Sequence, residues 1–256
     1  TASNGEHANN PQHYRLTQER DPDFSAWNEA GGHRVLGFHS HLRDDETRRR
    51  DMAVYYGMVS LLDKYVGRIL DHLAARGLAE NTLVVFTSDH GHLYGQHGLI
   101  AKGPFHYEDL VRVPMITRFP GRIPAGVRDA RLQTLVDLPA TFLDCAGLPP
   151  PASTSARSQW KIWQGAQEPG RDCVLIENRH QPTKVHLNTL VTDRYKLTVY
   201  RGLHDGELFD LERDPGELSN LWTAPDAQGV KAELLLRLAQ VEMENQPLPM
   251  PRVSIA

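Results

Sequence analysis

Cysteine is almost missing from this sequence, a positive excess of charge is missing altogether, and no apolar run is long enough to span a bilayer. The two cysteines, Cys145 and Cys173, each sit in an apolar run without closely spaced ligands. They read as small core residues, not as a disulfide pair or a zinc site. A net charge of −4 and a pI near 6.3 exclude a molecule-wide basic field that would draw in nucleic acid. The short run Arg48-Arg49-Arg50 falls in a helical pattern and reads as a solvated helix face. No charged-then-apolar leader opens the chain. It begins Thr1-Ala2-Ser3 without an initiator Met, and a processed product or a fragment is expected.

What is present suffices for a substantial core: 256 residues, 40% hydrophobic and 23% charged, fit one large α/β domain or a domain with an appendage. Residues 1–43 are polar and aperiodic, an irregular lead-in. The strongest helix follows, with Met52, Tyr55, Met58, Val59, Leu62, Val66, Ile69, Leu70 and Leu73 on one inward face. Asp44 or Asp45 caps its start and Gly77 stops it. Leu83 to Thr87 and Val113 to Phe119 read as strands, and helix followed closely by strand is the grammar of a parallel α/β sheet. A third strand is expected over Leu132 to Val136, then a helix over Leu138 to Ala146 capped by Asp137. The composition changes at Leu148-Pro149-Pro150-Pro151, which places a boundary there: residues 1–150 form one domain and 151–256 a smaller α+β one. Strands over Val174–Glu177, Leu187–Thr192, Tyr195–Tyr200 and Glu207–Leu211 precede a terminal helix over Ala227–Glu244, with Val230, Leu234, Leu235, Leu238 and Val241 inward.

The chemistry concentrates in Thr87-Ser88-Asp89-His90-Gly91 and the fifteen or so residues after it. Asp89 and His90 stand where a buried strand ends, the place from which ligand-binding side chains project in open α/β sheets. A carboxylate and an imidazole leaving a strand together can face one metal ion. Gly91, Gly95 and Gly98 allow tight turns around an anion, and Lys102 is a point charge able to reach an anionic oxygen. Asp-His-Gly alone is a common turn; its combination with His97, Lys102 and two flanking strands is what carries the reading. Arg179, His180 and His204 fall in loops and read as ordinary surface residues.

These residues closely resemble the sulfatase family of the alkaline phosphatase superfamily. The resemblance runs through Tyr55-Tyr56-Gly57-Met58-Val59, Asp63, Thr87 to Gly91, Gly95-Gln96-His97-Gly98, Lys102, Tyr107-Glu108 and Arg112-Val113-Pro114. It continues through Val136-Asp137-Leu138-Pro139, Thr192 to Leu197, Glu207 to Leu211 and Asp214-Pro215-Gly216-Glu217. It implies part of an alkaline-phosphatase-like α/β fold: a mixed or parallel sheet flanked by helices, with a small C-terminal antiparallel-sheet subdomain and a terminal helix. It implies metal ligation by Asp89 and His90, sulfate contact by Lys102, a loop-orienting or substrate-contacting His97, and loop support from Glu108 and Arg112. The implied partner is a small-molecule or carbohydrate sulfate ester, with no nucleic acid and no membrane span.

The departures are equally specific. Sulfatases use a formylglycine made within C-x-P-x-R or S-x-P-x-R, and neither motif occurs in these 256 residues. The family's N-terminal Asp-Asp metal pair is also missing, since Asp44-Asp45 lies at a helix start and reads as a cap. The implied metal is Ca2+. The imidazole of His90 keeps Mn2+ or another transition metal open, as used by relatives that hydrolyse phosphonate monoesters and phosphodiesters. Three readings therefore stand: a sulfuric ester hydrolase seen in part, a phosphonate or phosphate ester hydrolase of the same superfamily, and an inactive fragment or structural chain. In all three the 256 residues alone are expected to be inactive.

Overall fold

The computed structural model describes residues 9–27, 38–39, 44–150, 154–179 and 184–245. The lead-in is less irregular than its composition predicts. It holds helix α1 (Gln12–Thr17), whose Tyr14 is fully buried, and the two-residue strand β1 (Phe38–His39). Tyr14 packs with Leu93, Leu99, Phe105, Tyr107 and Phe209, so a segment without periodicity is held by one large aromatic anchor.

Helix α2 (Asp45–Ala75) starts and stops where expected. The Asp44 carboxylate accepts the Thr47 backbone N–H at 2.8 Å, and Gly77 takes the left-handed conformation at φ +67° just past the end. The expectation of an inward face is overturned. No α2 residue is buried, and Leu62 and Ile69 are exposed, because among the described residues no sheet lies across the helix. Its main neighbours are a turn at Ala79–Asn81 and the two-residue strand Leu93–Tyr94.

Strand β2 (Val84–Thr87) leads into a hairpin of β3 (Leu93–Tyr94) and β4 (Leu99–Ala101), with β1 on the far side of β4. The short helix α3 (Glu108–Val111) follows, then β5 (Met115–Arg118). The parallel relation expected of the two main strands is corrected: β2 and β5 pair antiparallel, Val84 opposite Arg118 and Thr87 opposite Met115. The chain between them folds back on itself instead of crossing over, so β5 starts at the end where β2 finishes. One face of this ribbon sets Val85 and Met115 against Phe119, Trp160, Ile162 and Trp163. On the other, the cross-strand neighbours Phe86 and Ile116 are exposed.

Leu132 to Val136 is not a strand. It makes a single bridge, Leu132 to Arg171, and then enters a 3-10 turn at Leu135–Asp137. Helix α4 (Leu138–Cys145) follows, but Asp137 does not cap it with its side chain. That carboxylate is buried and engaged instead by the Arg171 guanidinium, by Gln159 Nε2 at 2.9 Å and by the Arg157 N–H at 2.8 Å. A buried carboxylate needs a cation and donors more than a helix end needs a cap. Cys145 and Cys173 are free thiols, and burial pushes both pKa values up.

After α5 (Trp160–Trp163) come four strands in meander order, β6 (Cys173–Arg179), β7 (His186–Thr192), β8 (Tyr195–Tyr200) and β9 (Gly206–Asp210), all antiparallel. Helix α6 (Gln228–Glu244) lays Leu234, Leu238 and Val241 onto Leu190, Leu197 and Leu208, the face its periodicity predicts. Each such side chain contributes roughly 1.5–3 kcal/mol by leaving water.

Candidate metal and anion half-site

Strand β2 ends at Thr87, and the next four residues turn through a close set of local hydrogen bonds. Ser88 Oγ donates to the His90 carbonyl at 2.9 Å, and the His90 N–H donates to Asp89 Oδ1 at 2.9 Å. That N–H, and after it the neighbouring imidazole, hold the Asp89 carboxyl below the usual carboxylate range. Asp89 stays ionised at neutral pH and is largely exposed, as a ligand presented to a cation must be.

The His90 ring lies 2.8 Å from the Gly91 carbonyl through Nδ1 and 2.8 Å from Lys102 Nζ through Nε2. A carbonyl only accepts, so Nδ1 carries the proton and Nε2 presents its lone pair. This carbonyl-fixed tautomer is the arrangement that prepares a histidine for metal ligation. Asp89 Oδ2 stands 3.6 Å from the same Nε2. One carboxylate and one imidazole thus converge on a point already approached by the cationic Lys102. Their chemistry fits a divalent cation, but among the described residues no third His, Cys, Asp or Glu joins them. A calcium ion takes six to eight oxygen ligands, so these two residues supply a minority of a coordination shell.

Gly91 ties this turn to α3. Its N–H donates to the Leu110 carbonyl at 2.8 Å, and a Cβ at this position would stand 1.9 Å from the Asp109 carbonyl oxygen. No other residue fits. Asp89, His90 and Lys102 open onto one cleft of about 2330 Å³, whose walls include His106, Arg112 and, from β6, Glu177 and Asn178. That exceeds the roughly 300–1,000 Å³ of a typical small-ligand pocket.

His97 is placed differently from the other three. It is 6% exposed, its ring stacks on Tyr107 at 3.7 Å between centroids, and it does not line the cleft. Its φ of +54° is left-handed, and its carbonyl accepts the Tyr14 hydroxyl at 2.7 Å. Glu108 Oε1 lies 2.7 Å from Lys196 Nζ, whereas the Arg112 side chain is largely exposed and only approaches Glu108, at 3.7 Å. Arg179 and His204 are exposed, whereas His180 lies outside the described residues.

Sequence reasoning missed the buried polar groups behind this loop. Glu207 accepts the hydroxyls of Tyr107 at 2.9 Å and Tyr200 at 2.5 Å. Burial raises its pKa, while the two hydroxyls oppose that shift. Lys196 is 1% exposed and bridges Glu108 and Glu217. The available signal was weak: a lysine within the apolar run Tyr195 to Tyr200.

A family model described as Sulfatase matches residues 1–148, and one described as N-sulphoglucosamine sulphohydrolase, C-terminal, matches residues 95–244. An N-acetylglucosamine-6-O-sulfatase of Bacteroides thetaiotaomicron is 28% identical over 200 residues, 75% of this chain and 36% of its own length. A solved structure in complex with D-glucosamine-2-N,6-O-disulfate aligns with a TM-score of 0.68 at 28% identity, covering 74% of this chain and 40% of that one. The phosphonate monoester hydrolase of Agrobacterium radiobacter aligns with a TM-score of 0.72 at 27% identity, covering 80% and 44%. The chain therefore covers between 36% and 44% of the length of each of these proteins.

Proposed function

This chain belongs to the sulfatase family, and we propose that it carries the cation-ligating and anion-contacting half of a sulfuric ester hydrolase site whose nucleophile lies in sequence beyond these 256 residues. The observation that carries this reading is the convergence of Asp89 Oδ2, His90 Nε2 and Lys102 Nζ at the end of β2. Asp89 and His90 would hold a divalent metal, Ca2+ in the first instance, and a bound metal would offset the charge of the sulfuryl oxygens. Lys102 donates to the Nε2 lone pair at 2.8 Å, so it would yield that nitrogen to a bound metal, and its freed ammonium can bind one of those oxygens and stabilise charge developing on the leaving group. The Gly91 carbonyl keeps His90 in the ligating tautomer. His97, packed on Tyr107, acts by shaping the loop that carries Lys102. The substrate is a small-molecule or carbohydrate sulfate ester; the named specificity and bound ligand of the relatives favour an amino-sugar sulfate.

The test is sulfate release from nitrophenyl sulfate and from glucosamine sulfates by the full-length protein. Asp89→Ala and Lys102→Ala are each expected to lower kcat/KM by roughly a hundredfold or more, the scale of removing one charge-stabilising group. Wild-type turnover in either variant would remove that residue from the site. A second reading, phosphonate monoester hydrolysis with a transition metal, is supported by the imidazole ligand and by the similarity to a phosphonate monoester hydrolase. Parallel assays with phenyl phosphonate esters, in added Ca2+ and Mn2+, separate the two. A Mn2+-dependent preference for phosphonate would displace the sulfatase reading.

A further inference from the structure

Lys196 occupies a position in β8 from which a charged side chain is ordinarily excluded. Its side chain is 1% exposed, and its ammonium is kept there by one hydrogen bond, to the His106 carbonyl at 3.0 Å, and by two ion-pair contacts, Glu108 Oε1 at 2.7 Å and Glu217 Oε1 at 2.8 Å. The other oxygen of Glu217 accepts the backbone N–H of Glu108, the first residue of α3, at 2.6 Å. Glu217 itself is buried and sits at φ +54°, a backbone conformation that a non-glycine residue keeps only when its surroundings hold it. Side chain and main chain of Glu108 are thus both gripped from the C-terminal sheet and the turn after β9. On its far side α3 grips the site turn, through the Gly91 N–H to Leu110 carbonyl bond and the absence of room for any Cβ at Gly91.

We propose that Lys196 and Glu217 are positioning residues for the metal half-site, acting through Glu108 and α3 to set where Asp89 and His90 stand. The C-terminal region thereby controls ligand geometry without touching the ion. A β-sheet residue is a suitable anchor for this purpose, since β8 is paired on both sides, to β7 and β9. This inference rests on reading Asp89 and His90 as metal ligands, and the experiment separates the two claims.

In the full-length protein, Glu217→Gln, Lys196→Met and Lys196→Arg are compared with the parent by backbone amide hydrogen exchange. The same samples are titrated with Mn2+ while the His90 imidazole resonances are followed. Removing a charge-assisted bond is expected to speed exchange at Gly91 by roughly tenfold, with the β7 and β8 amides still protected. Glu217→Gln and Lys196→Met should need more Mn2+ to broaden His90, and Lys196→Arg should restore most of the difference. Should Lys196→Met unfold the sheet, Glu217→Gln decides, because it leaves the lysine its remaining partners. Unchanged Gly91 exchange in Glu217→Gln with the sheet intact overturns the positioning role. If Gly91 exchange changes but Mn2+ never broadens His90 in the parent, the mechanical link stands and the metal reading fails.

Discussion

At the scale of single residues, the molecule separates groups that face the cleft from groups that hold its back wall. Asp89, His90 and Lys102 are accessible and lie within a few ångströms of one another, whereas His13 and His106 are buried and neutral. Burial lowers the pKa of each of these two histidines from 6.5 to about 3. A native pKa below the unfolded value means that the unfolded chain binds the proton first, so stability is lost as pH falls from 6.5 towards 3. Glu207 and Glu217 oppose this, since burial raises their pKa values above 4.5 and the native state then takes up protons too. The loss should therefore be blunted between pH 6.5 and 4.5 and steepest between 4.5 and 3. His13 stacks against Phe105, so His13→Phe suits its surroundings and should remove one proton from that acid slope. Urea unfolding at several pH values measures it; an unchanged slope would mean that His13 is not buried neutral.

At the scale of elements, the two amphipathic helices have opposite fates. Helix α6 buries the stripe its periodicity predicts, and Leu238 is 4% exposed. Helix α2 has a longer stripe and buries none of it, Ile69 being 61% exposed. Leu238→Ala should cost about 2–5 kcal/mol, and Ile69→Ser no more than about 0.5 kcal/mol in this chain. Denaturant midpoints of the two variants check the contrast. Periodicity was enough to place both helices, their ends and the four-stranded meander, because those depend on local geometry and capping. It could not say whether a partner surface covers each stripe, nor that β2 and β5 run antiparallel. Strand direction depends on how the intervening loop folds, and that loop's path is set by contacts with residues about a hundred positions away, such as Tyr107 with Glu207.

At the scale of the whole molecule, segments on both sides of residue 150 share a core. Tyr14, Leu93, Phe105 and Phe209 pack together, and Arg171 reaches back to the buried Asp137. The stripe of α2 and the pair Phe86 and Ile116 on the β2–β5 ribbon are exposed, and the cleft, walled by residues from both sides of residue 150, is wider than a small-ligand pocket. The part of the chain that matches one relative is 36% of that relative's length. The 256-residue chain should release no sulfate from nitrophenyl sulfate at any metal concentration, whereas on the proposed function a longer protein that carries the nucleophile should. Turnover by a purified chain of verified mass would show that a nucleophile exists within it. In the longer protein Ile69→Ser should cost as much as a core substitution, which the same denaturant measurement tests.

The sequence by itself determined the family and pointed to the end of β2, where Asp89, His90 and Lys102 are proposed as site residues. The expectation at Asp89 and His90 rests on a short-range rule, a strand followed at once by a carboxylate, an imidazole and a glycine, although β2 itself has no buried residue. Only the tertiary structure decided that His97 is packed behind the cleft, that Asp137 is an ion-pair anchor instead of a helix cap, and that Lys196 and Glu217 hold α3. A charge can be buried only where partners from distant segments meet it in space, and no local pattern in the chain announces where that meeting occurs.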